Sequence, residues 1–144
     1  MILDYSTEFT AAGGKAVTSQ SAEIQANTLH SDQAKDWGAG ELVKPYIRVT
    51  TANAAKLTSL DVFIKAADDA SGTNAVTLST VNILKAALTK NALIYLPPLP
   101  PGTSKKELIA VLTVNGTAED AGTKVIVGLT AGIDGTPQNG VNSI

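Results

Sequence analysis

Cysteine is absent from the 144 residues, and with it any disulfide framework, any thiolate nucleophile and any cysteine-built zinc site. Histidine occurs once, as His30, so a Ser/His/Asp arrangement has a single possible base. Aromatic side chains make up only 4% of the chain, which removes most of the stacking platform that sugars, bases and flat cofactors draw on. Positive charge is not in excess. With 11 Lys and Arg against 13 Asp and Glu, a phosphate backbone has no basic stripe to meet, which argues against nucleic-acid binding. No stretch approaches the roughly 18 apolar residues of a membrane span. Asp4 and Glu8 stand where a signal peptide would carry positive charge and then an apolar run. A soluble chain made in a cytoplasm, with no membrane partner, is expected.

What the chain does have is 44% hydrophobic residues, mostly Ala, Val, Leu and Ile, with 17% charged ones, a balance suited to one folded domain. Period-two alternation runs through it. Leu60, Val62 and Ile64 share one side of residues 58–65; Leu108, Ala110, Leu112 and Val114 share one side of 108–114. Val43, Ile47 and Val49 do so in 43–50, and Val125, Val127 and Leu129 in 124–131. Shorter candidates are 75–78 and 93–96. Turn signals separate them: Ala52-Asn53, Asp68-Asp69-Ala70-Ser71-Gly72, the prolines, Asn115-Gly116 and Ala121-Gly122. The expectation is an all-β chain of about eight antiparallel strands, a sandwich or barrel.

Three places resist that pattern. Residues 80–93 carry enough Ala and Leu for a helical turn or an irregular crossover, and 19–36 are polar, with room for short strands around Ile24 and Leu29. Pro45 cannot donate to a ladder, so its strand is expected to begin near Tyr46 or to lie on an edge. The most unusual stretch is YLPPLPPG, residues 95–102. Its spacing matches a PxxP ligand with Lys105 nearby, but it sits between two strands, so it reads first as a strand terminator with an extended connection to Gly102.

Few residues offer chemistry. His30 has polar neighbours and no nucleophile elbow, so a surface histidine is expected. Asp32, Asp36 and Glu41 surround Gly38 and Gly40, yet Ala34 and Lys35 break a calcium-loop pattern. Asp68 and Asp69 are adjacent on a turn, not a spaced carboxylate pair. Gly13-Gly14 and Gly38-Ala39-Gly40 lack the strand-loop-helix frame of a phosphate cradle. No metal, cofactor or catalytic residue is expected, and the protein is not read as an enzyme.

The opening MILDYSTEFTAAGGKAVT, the turn DWGAGELV at 36–43 and the closing LTVNGTAEDAGTKVIVGL resemble the Bbp16 family of bacteriophage capsid cement proteins. Departures are Lys15, Trp37 and the doubled prolines. The resemblance implies a structural protein of the virion: a jelly-roll-like β-sandwich spanning 15–144, with 1–14 as an arm or edge strand. It implies a homotrimer that is made in the host cytoplasm and binds the major capsid protein on the capsid exterior. Under that reading the candidate contact residues are Ile2, Leu3, Tyr5 and Phe9 of the arm, Trp37 and Tyr46 as aromatic anchors, and Pro98 and Pro101 on a stiff loop. Two other classes stay open: a carbohydrate-binding or adhesion module of a phage particle, needing a groove of aromatics and amides, and a small hydrolase built on His30.

Overall fold

The computed structural model describes residues 8–10, 14–17, 21–39, 43–52, 57–116 and 120–131. Among the described residues nine strands follow in chain order: β1 (Lys15–Val17), β2 (Glu23–Ile24), β3 (Leu29–Asp36), β4 (Val43–Thr51), β5 (Leu57–Ala67), β6 (Val76–Leu84), β7 (Leu93–Tyr95), β8 (Ser104–Gly116) and β9 (Asp120–Ala131). The alternating residues place their apolar side inward. Leu60, Val62 and Ile64 of β5 and Leu108, Ala110, Leu112 and Val114 of β8 meet Ile47 and Val49 of β4 and Val125, Val127 and Leu129 of β9 in one core. Each such Leu, Ile or Val side chain contributes about 1.5–3 kcal/mol by leaving water.

Two antiparallel sheets result. One runs β1-β9-β4-β7; the other runs β2-β8-β5-β6, with β3 also pairing to β8. Because β2 and β3 occupy successive parts of the same edge of β8, nine segments fill eight ladder positions. That is the strand order of a jelly roll, a β-sandwich in one domain. Between His30 and Lys35 the β3–β8 register shifts, so β3 bulges away from β8 there. The outer face of the second sheet carries a smaller cluster of Ala67, Ile109 and Val111 under Phe63, so β8 is buried on both sides.

Several of these segments are corrected or narrowed. Residues 80–84 continue β6, and only Lys85–Ala87 form a 3-10 turn. Ala121 and Gly122 lie within β9. Pro45 is not at a strand start, since β4 begins at Val43; it pairs with Leu129 of β9 on one side and lies past the end of β7 on the other, so its place on the β7 side is a local edge. Its carbonyl accepts the Leu96 N–H at 2.9 Å, so its missing donor faces Leu96, where β7 has just ended. Residues 8–10 belong to the sandwich. Glu8 bridges Gly128, the Phe9 N–H donates to the Val127 carbonyl at 2.8 Å, and Phe9 is buried in the core.

Candidate functional site

One end of the sandwich joins three segments far apart in sequence: the turn after β3, the proline run after β7, and the turn between β5 and β6. Asp36 ends β3, and its carboxylate accepts from two backbone N–H groups, Gly38 at 3.2 Å and Gly102 at 2.7 Å. One side chain thus fastens its own turn to the far end of the proline run. The Trp37 indole N–H donates to the Lys105 carbonyl at 3.1 Å while its ring packs partly buried against the core. Lys35 lies over that ring, with Nζ 4.8 Å from the centroid. Gly38 is in close contact with the run: a β-carbon there would fall 2.1 Å from the Pro100 oxygen, so no other residue fits without displacement.

Lys105 extends the assembly, its ammonium 3.0 Å from Asp68. Asp68 also accepts from Asn74 at 2.8 Å, and these two hydrogen bonds hold its carboxyl below the usual range. Asp69 accepts from Ser71 and Thr73, through both backbone and hydroxyl, and is lowered further by them. Both carboxylates are therefore engaged in shaping a turn.

Within the run, Leu96 and Leu99 are buried, whereas Pro97, Pro98, Pro100 and Pro101 are exposed. The structure therefore brings Trp37, Pro98 and Pro101 to one region, as proposed contact residues. Phe9 and Tyr46 do not join them. Phe9 is 0% exposed within the core, and Tyr46 is 1% exposed on the β4 face opposite Ile47 and Val49, so neither ring stands at the surface where an anchor for a partner was expected. Tyr46 lies across Gly128, which leaves room for its ring; burial lifts its phenol above the ordinary value. Ile2, Leu3 and Tyr5 lie outside the described residues, as do Gly13, Gly40 and Glu41.

Two groupings were missed by sequence reasoning because only strand register creates them. His30 on β3 stands opposite Glu107 on β8. Its Nδ1 contacts the Glu107 carboxylate and its Nε2 lies 3.4 Å from Asp32. Glu107 is buried and accepts a second hydrogen bond from the Thr28 hydroxyl at 2.8 Å. Hydrogen bonding to Glu107 raises the His30 pKa. Both ring nitrogens face carboxylates, an arrangement that stabilises an imidazolium and leaves neither nitrogen turned toward a nucleophile. The second grouping lies on the outer face of β5. Asn82 and Asn115 each direct their amide hydrogens to Ser59 and Asp61, at 2.6–3.1 Å.

Among the described residues no group of three or more His, Cys, Asp or Glu side chains could hold a metal ion, and no helix is long and apolar enough to cross a membrane. The fold and this end surface define a jelly-roll β-sandwich with a rigid, proline-faced rim. No protein-family model matches the chain, and no curated protein matches it.

Proposed function

We propose that this chain is a capsid cement protein that binds the major capsid protein on the outer surface of an assembled phage shell, as a homotrimer and without catalytic activity. The observation that carries the reading is the resemblance of 1–18, 36–43 and 112–129 to that family, in the family's order. The jelly roll supports it as an architecture used repeatedly in capsid proteins, an argument from fold alone. The end surface supports it physically, because its loops are fastened by Asp36, Trp37 and Gly38 and lose little entropy on docking.

A cement stabilises a shell by its greater affinity for the closed lattice than for separate subunits. Three linked copies engage three sites at once, so modest contacts per chain become firm attachment through effective concentration. The glycan-binding alternative has less support: the amides on the β5 face, beside Phe63, have already committed their hydrogens to Ser59 and Asp61. The test is co-sedimentation of the purified chain with shells lacking it, together with light scattering for its mass. Binding at fixed stoichiometry by a trimer is expected. A monomer that leaves shells unbound and no more heat-resistant would overturn the reading.

A further inference from the structure

We infer that residues 96–101 form a pre-built polyproline II ridge that docks into a groove on the shell protein, floored by aromatic rings and edged by carboxylates. The identity of that partner rests on the cement reading; the ridge itself rests on the geometry.

The repeat of burial is three, not two. Leu96 and Leu99 are buried, and the two residues after each are exposed prolines. A polyproline II helix has three residues per turn, so it presents three edges. Proline fixes φ, and each of Leu96, Pro97, Leu99 and Pro100 precedes a proline, which holds it in the extended region. One edge is therefore Leu96 with Leu99; the others are Pro97 with Pro100 and Pro98 with Pro101, and exposed Gly102, at a φ of +113°, ends the helix.

The first edge is the anchored one. Both backbone N–H groups of the helix lie on it and are bonded inward, Leu96 to the Pro45 carbonyl at 2.9 Å and Leu99 to the Val43 carbonyl at 3.0 Å, and just beyond it the Gly102 N–H donates to Asp36 at 2.7 Å. Ser79 adds a bond to the Pro97 carbonyl at 2.6 Å. A groove can enclose two edges of such a helix and must leave the third, so the two proline edges are the ones free to be read. Proline rings seat on aromatic side chains, and a helix already formed needs no ordering on binding. Charge completes the match. Lys44 stands over the Tyr95 ring, 5.2 Å from its centroid, just before the run, and exposed Lys106 follows it, Lys105 being held by Asp68. Cations at both ends call for an acidic rim on the partner.

The test uses the full chain in three forms: wild type, P98A/P101A, and K90A as a control remote from the ridge. Co-sedimentation with chain-free shells is expected to weaken about tenfold or more for the proline variant. The control should bind like wild type, and circular dichroism should show both variants folded. Equal binding by P98A/P101A and wild type would overturn the ridge while leaving the cement reading standing. If wild type itself leaves shells unbound, the cement reading fails. The ridge is then decided by NMR titration with a purified SH3 domain, whose groove has aromatic walls and an acidic edge. Shifts at Gly102, Thr103 and Ser104 that vanish in P98A/P101A support it; no shifts in wild type overturn it.

Discussion

Replacing Gly38 with Ala tests whether the Asp36–Gly38 turn and the proline run are one mechanical unit. The added carbon would lie 2.1 Å from the Pro100 oxygen, 2.4 Å from the Pro100 carbonyl carbon and 2.7 Å from the Leu99 oxygen. All three are backbone atoms, so no side-chain rotation relieves the clash. The run cannot easily recede, being tied at Leu96, Leu99 and Gly102. The turn must therefore move, straining the Gly38 N–H bond to Asp36 and the Trp37 indole bond to Lys105. Overpacking of this kind costs about 1–3 kcal/mol, and each lost hydrogen bond about 1 kcal/mol more. With one of these two bonds lost, a loss of roughly 2–4 kcal/mol follows, or roughly 6–12 °C in midpoint for a domain of this size. Gly102→Ala is the matched control: its φ is +113° with nothing within 4 Å, so only backbone strain of about 1–2 kcal/mol is expected. The assay is thermal unfolding by circular dichroism beside Trp37 fluorescence. A Gly38→Ala protein as stable as wild type, with unchanged emission, would refute the close packing.

Leu99→Ala should destabilise by about 2–5 kcal/mol because it empties a core site, whereas exposed Pro98→Ala should cost under about 1 kcal/mol; urea unfolding separates them. Since Glu107 raises the folded His30 pKa, that stabilisation is complete below the ordinary value of 6.5 and is lost as pH climbs through the folded value. Urea midpoints should fall over that rise in wild type and not in His30→Gln. Asn27→Ala removes amide bonds to the Thr10 carbonyl at 2.9 Å and the Glu8 carbonyl at 3.3 Å. A loss of about 1–3 kcal/mol and faster hydrogen exchange at Phe9 and Val127 are expected.

The strands that were legible are those whose two faces meet different surroundings. In β5, Leu60, Val62 and Ile64 enter the core while Ser59, Asp61 and Phe63 face outward, so alternation shows. Residues 80–84 were obscured because β6 is an edge strand with both faces partly wet, which dilutes the pattern. Pro45 left two readings open because nothing local shows that β7 ends beside it. The His30–Glu107 pair lies 77 positions apart and depends on β3–β8 register, which no local signal encodes. Trp37 and Gly38 were visible as unusual residues, but what they pack against was not. An Asp before a Trp-Gly turn was the available clue, since Asp readily accepts from a backbone N–H two residues on.

The same prolines that made the run conspicuous also explain why it can face solvent safely. Beyond its short pairing with β7, β4 would otherwise offer open carbonyls and donors to any passing strand. Residues 96–102 cover that edge with a segment whose only three N–H groups are already committed inward. The remaining four positions are prolines and have no donor to give. A partner therefore cannot extend the sheet through the donors of this run, and recognition of its face must come from ring contact and flanking charge. Pro45 fits the same logic: its missing donor points to the place where the two-residue strand repeat gives way to the three-residue proline repeat, so the ladder ends where it is no longer needed.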